Sequence, residues 1–206
     1  MRLGEGFSRI KPIEVKMSEN TLILSCGIFR KELKKIIGGN GWNFDVVFLK
    51  PLLHLDSKKL NEELNKKLDG FAGKYDKKIV IYGMCSPEID EICSKHDAKR
   101  IRGEHCPEIL LGERFWELMK EEGGTYYLTP PLCKNFERMV IRGTFIDDYP
   151  RLKEIYFRNY KRVVYIDTGI EDLSEKAREL SKYLNLELLI ERPGVENLAT
   201  RLKEIL

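Results

Sequence analysis

The sequence predicts an α/β protein: a mainly parallel sheet with helices on both faces, Rossmann-like, with two pseudo-repeated halves as one option. Three observations predict it. Short, β-rich apolar runs alternate with stretches of helical periodicity from Thr21 to the C-terminus. Glycine pairs and Pro-containing turns separate them, as at Gly38-Gly39 and Gly123-Gly124. A strand, a cysteine-bearing loop and a helix also recur in that order. Such alternation favours parallel strands, because right-handed crossovers lay helices on the sheet faces.

Residues 1–20 are expected to be an N-terminal extension, with a short edge strand at Ile13–Lys16, ahead of a single α/β domain at 21–206. Thr21–Ser25 is a continuous apolar run and predicts a buried strand. An amphipathic helix over Phe29–Ile37 stops at Gly38-Gly39, and Phe44–Leu49 is the second strand. Ser57 is the expected N-cap of a long polar helix with apolar positions at Leu60, Leu64, Leu68 and Phe71. Lys78–Tyr82 is a third strand, followed by a short helix near Ile89–Ser94, and Ala98–Ile101 is a weaker fourth strand. One helix is expected over Ile109–Glu122, then a strand at Thr125–Thr129. Leu132–Tyr160 is polar, aromatic and helical, interrupted near Gly143 and Pro150. Arg162–Asp167 and Leu186–Ile190 complete the strands, with helices at Leu173–Leu184 and Asn197–Leu206.

Composition narrows the function classes. Hydrophobic content of 42% and charged content of 33% fit a globular protein. A net charge of +3 from 36 basic and 33 acidic residues calls for no nucleic-acid partner, since paired lysines such as Lys58-Lys59 lie among acids on solvated helix faces. No apolar run reaches the roughly 18–20 residues of a membrane span. Nor does Met1–Gly6 carry the apolar core of a secretory signal. Five cysteines without framework spacing argue against a disulfide scaffold and for a reducing cytoplasm.

Chemistry concentrates on three of those cysteines. Cys26 closes the first strand, Cys85 follows the third in Tyr82-Gly83-Met84-Cys85, and Cys106 follows the fourth in His105-Cys106-Pro107. Parallel strands open on one sheet edge, where α/β proteins bind ligands. Singly, each is explained as an inert buried thiol; as a set they point to one metal or cluster. There is no Cys-x-x-Cys pair, so position after strands carries the argument. Cys93 is simplest as a small apolar helix residue, and Cys133, after Pro130-Pro131, is open to either reading. His105 adjoins Cys106 as ligand, proton donor or supporting partner, while His54 ends the second strand's loop on the same edge. His96 suits a helix end. Gly38-Gly-Asn-Gly lacks a phosphate loop's Lys-Ser/Thr, and neither a Gly-x-Ser-x-Gly elbow nor a His-Glu-x-x-His pair occurs. Tyr156–Arg162 mixes aromatic and basic residues and is best explained as a helix packed on the sheet.

Several fragments in succession carry a family resemblance. They are Ser25-Cys26-Gly27 with Glu32-Leu33, Leu53-His54, Tyr82–Cys85, Cys106 with Leu110-Leu111-Gly112, and Gly124–Thr129. In that order the chain, from about Thr21 onward, resembles the archaeal and bacterial family termed domain of unknown function 1638. The resemblance implies cysteines at Cys26, Cys85 and Cys106, and an anaerobic setting beside corrinoid-dependent methyl-transfer systems. This chain departs from the pattern at Ser86, His105 and Pro130-Pro131, which weakens His105 as an obligatory ligand. A fainter likeness, in Cys85-Ser86-Pro87-Glu88 and Cys106-Pro107-Glu108, links it to three-cysteine desulfidases with an open iron–sulfur cluster, as chemistry rather than kinship.

Three thiolates leave one coordination place free, on a [4Fe-4S] cluster or, alternatively, on zinc. The expectation is an enzyme of anaerobic sulfur or methyl-group metabolism, a lyase or transferase acting on a small molecule such as a thiol. The cluster is favoured by the resemblance, with His105, Glu108 and Glu88 as proton-transfer candidates. The alternatives are a non-catalytic metal-binding or accessory protein of corrinoid systems, closed by His105, His54 or Cys133, and a metal-free pocket with packing cysteines.

Overall fold

A computed structural model of the chain describes residues 20–146, 148–149 and 151–206. The edge strand expected at Ile13–Lys16 lies outside them. Among the described residues seven strands form: β1 (Thr21–Cys26), β2 (Asp45–Leu49), β3 (Lys77–Ile81), β4 (Lys99–Arg100), β5 (Thr125–Leu128), β6 (Arg162–Ile166) and β7 (Glu187–Glu191). Every pairing is parallel, as expected of the alternating pattern. The strands divide between two sheets, of order β2-β1-β3-β4 and β5-β6-β7.

Strand burial follows from that order. β1 lies between β2 and β3, so all six of its residues are buried. β6, the middle strand of the second sheet, joins two cores by simple alternation. Its Val164 and Ile166 point into the core of the first sheet, and its Val163 and Tyr165 into a second core with Phe136 and Phe157. Thus the two sheets share an apolar layer.

The helices are α1 (Arg30–Gly39), α2 (Ser57–Gly70), α3 (Ile89–Lys95), α4 (Cys106–Leu111), α5 (Glu113–Glu121), α6 (Pro130–Lys134), α7 (Arg151–Phe157), α8 (Ser174–Leu184) and α9 (Glu196–Ile205). A π-turn at Glu137–Ile141 and a 3-10 turn at Arg142–Thr144 follow α6. Two sequence expectations need correction. Asp56 rather than Ser57 caps α2, because its extended backbone lets the carboxylate accept the Lys59 N–H at 3.0 Å. The single helix expected over Ile109–Glu122 is broken at Gly112, whose φ of +63° ends α4 against the Asn197 side chain. Among the described residues no helix is long and apolar enough to cross a membrane.

One buried carboxyl joins the halves. Glu32 of α1 is 1% exposed, and its Oε1 accepts the Thr168 hydroxyl at 2.9 Å while Oε2 has no partner. Burial pushes its carboxyl above the ordinary value, so the folded state holds the proton more tightly than the unfolded one. That contribution is complete below the unfolded carboxyl's titration and is lost as pH rises through the folded one. Glu32→Gln is therefore expected to raise urea stability by about 1–2 kcal/mol at pH 7, with the gain shrinking at acid pH.

Candidate functional site

The order β2-β1-β3-β4 reverses direction at β1: the chain goes first to one side and returns to the other. The loops leaving β1 and β3 therefore diverge, and a crevice opens at their carboxyl ends. Cys26 is the last residue of β1 and Cys85 lies in the loop after β3, so two thiols stand at this switch point. Cys106, the first residue of α4, closes the set from the loop after β4.

Two glycines permit the convergence. A Cβ on Gly27 would stand 2.8 Å from the Leu49 carbonyl oxygen, and one on Gly83 would stand 2.5 Å from that of Glu104. Both meet backbone, which cannot swing aside as a side chain can. The β3 loop thereby presses on the β4 loop, where the Met84 N–H donates to the Glu104 carbonyl at 2.7 Å. Leu52, on the neighbouring loop, has a φ of +72°, a left-handed conformation costing roughly 1–2 kcal/mol for a residue with a Cβ.

Arginines tie the same loops together. Arg100 donates through one nitrogen to the carbonyls of Gly103 (2.6 Å), Ile101 (3.2 Å) and Tyr82 (3.3 Å), and pairs with Asp90 at 2.5 Å. Arg201 of α9 donates to the Arg102 carbonyl at 2.7 Å and to Glu108 Oε1 at 3.2 Å. Glu108 Oε2 in turn accepts the Glu104 N–H at 2.7 Å. Sequence reasoning missed both arginines, since donors to backbone carbonyls leave no spacing signal.

The thiols meet. Cys106 neighbours both Cys26 and Cys85, and its single thiol proton can be offered to either sulfur. That interaction lowers the pKa of Cys26 and of Cys85, while the same two neighbours and burial push Cys106 up. Tyr82 stands close by, its buried hydroxyl without a hydrogen-bond partner among the described residues, and adds a smaller lowering influence on Cys26. Arg100 adds a favourable charge for the Cys85 thiolate. Cys26 is 5% exposed, whereas Cys85 and Cys106 are half-buried. Among the described residues, no group of three or more His, Cys, Asp or Glu side chains stands in the arrangement that holds a metal ion.

All three line a cavity of about 610 Å³. The second sheet and the segments after it contribute to the same lining, including Tyr126, Tyr127, Thr129, Val140 and Tyr156. His54 and His105 also line it, and burial lowers the His54 pKa, favouring the neutral imidazole. The His105 ring lies 5.5 Å from that of Phe115.

The other candidates are placed elsewhere. Glu108 is buried at 7% exposure against Arg201, and Glu88 is exposed, its Oε2 accepting from Ser86 and Asn61, each at 2.6 Å. Neither lines the cavity, so of the three proton-transfer candidates it holds His105 alone. Cys93 and Cys133 are buried in separate cores, which pushes each thiol up to about 11. His96 bonds Asn65 at 2.9 Å between α2 and α3. From the aromatic-basic stripe, Phe157 packs in the second core and Tyr156 faces the cavity.

No curated protein matches this chain. Among solved structures, the catalytic subunit of M. jannaschii aspartate transcarbamoylase is similar at 12% identity with a TM-score of 0.30, over 84% of this chain and 56% of that one. The chain thus spans little more than half the length of that structure. Residues 48–202 match the family described as a protein of unknown function, DUF1638. The match starts later than the expected Thr21, so it contains Cys85 and Cys106 and leaves Cys26 ahead of it. It covers most of the chain, and the protein belongs to this family of domain of unknown function 1638.

Proposed function

We propose that Cys26, Cys85 and Cys106 are the protein ligands of a metal centre with an open coordination position, and that the protein is an enzyme of sulfur or methyl-group metabolism. The observation that carries this reading is the meeting of three thiols, from three separate strand ends, on the wall of one cavity. The donor set fits a soft group: a [4Fe-4S] cluster or, alternatively, zinc. Ligation would release the protons these sulfurs carry. When bound, either group would supply Lewis acidity at a position open to the cavity.

The protein's own residues have distinct parts. Arg100, Arg201 and Glu108 hold the loops that present Cys85 and Cys106. His105 lines the cavity next to Cys106 and is the proton carrier we assign. Apolar walls restrict water around the thiols, which strengthens charge interactions there. Free cysteines of this kind fit a reducing compartment.

The test is anaerobic purification of the full chain, loading with iron and sulfide or with zinc, then desalting and metal analysis. A broad visible thiolate-to-iron absorption, or about one zinc per chain, is expected. Retention no greater than that of Cys26→Ala overturns the proposal.

A further inference from the structure

The cavity also carries a signature of what enters it. Thr129, the residue after β5, is 2% exposed, and its hydroxyl has no hydrogen-bond partner among the described residues. Two positions earlier, within β5, the buried Tyr127 hydroxyl is also without one. Both residues belong to the lining of the cavity that holds the cysteines. Two orphaned hydroxyls cost stability, because a buried polar group without a partner forfeits its hydration. A ligand's polar group would restore what each lacks.

Charge sets the class. Among the described residues no lysine or arginine lines the cavity, and Glu104 is the one carboxylate. An anion would surrender its hydration to apolar and acidic walls with no counter-charge. The volume of about 610 Å³ suits a small organic molecule.

We infer that the cavity binds an uncharged, mostly apolar molecule whose hydroxyl or carbonyl group is held by Thr129 and Tyr127. As the substrate class of the proposed centre the inference rests on that reading, but binding itself needs only the cavity. The sulfurs of the same lining then receive whatever soft or reactive atom the molecule carries.

Calorimetry on the full chain tests it with two probes, 6-methyl-2-naphthol and the anion 6-methyl-2-naphthoate. The naphthol is expected to bind at least tenfold more tightly. Thr129→Val should weaken naphthol binding roughly three- to tenfold, while thermal stability holds or rises because an orphaned hydroxyl is gone. Tyr127→Phe gives the same paired readout if Thr129→Val does not fold. The calorimetry is run on metal-free protein and metal retention is measured apart from it, so the two readings fail separately. Tighter or equal binding of the naphthoate, binding of neither probe, or unchanged naphthol affinity in the folded variants overturns the inference.

Discussion

Cys106→Ala is expected to cut metal retention by more than roughly tenfold, the scale on which even outer partners of metal ligands act. Cys26→Ala and Cys85→Ala should act on the same scale, because each removes one of the three proposed ligands. A second readout needs no metal. In protein stripped of metal, iodoacetamide at pH 7 should modify Cys85 first, as it is half-buried with a lowered pKa. Cys93 and Cys133, buried and pushed up to about 11, should react only on unfolding. Removing Cys106 deletes the bond that is the largest influence lowering Cys85, so alkylation of Cys85 should slow several-fold. Cys93→Ala is the control, expected to change neither metal content nor the Cys85 rate. Peptide mapping by mass spectrometry reads both; an unchanged Cys85 rate in Cys106→Ala would mean the sulfurs do not communicate.

Much of this arrangement was legible because parallel strands announce themselves locally. Thr21–Cys26 and Arg162–Ile166 are short β-rich runs, and each forms the middle strand of a sheet. The cysteine set was legible for the same reason: the place of a thiol after a strand is a local property, and parallel order turns it into a shared edge. What joins which strand is not local. Nothing in Thr125–Leu128 says that it pairs with β6 rather than extending the sheet beyond β4. Gly112 illustrates the same limit, since helical periodicity runs on across it while Asn197 on α9 occupies the space beside it. Glu88 and Glu108 had the right chemistry and proximity in sequence. Their surroundings were decided by Asn61 and Arg201, residues remote in the chain.

Glu108 is where that distinction has the largest energetic consequence. Glu108 and Arg201 are each buried at 7% exposure, and together they satisfy Glu104 N–H and the Arg102 carbonyl. Removing one partner of such a pair strands a buried charge, at a cost of about 3–5 kcal/mol. Glu108→Leu or Arg201→Met is therefore expected to lower urea stability by about that amount, a large share of the roughly 5–15 kcal/mol of a folded domain. In thermal melts the loss corresponds to about 10 °C for a chain of this size. The double variant should recover much of it, because neither charge is then left alone. The same comparison separates two roles for Glu108. A proton donor could be lost without unfolding the protein, whereas a positioning residue takes the loop from Gly103 to Cys106 with it. We expect the single variants to lose metal retention in step with stability, and the double variant to regain both. Full stability in Glu108→Leu would remove the ion pair from this account and return Glu108 to the proton-transfer candidates.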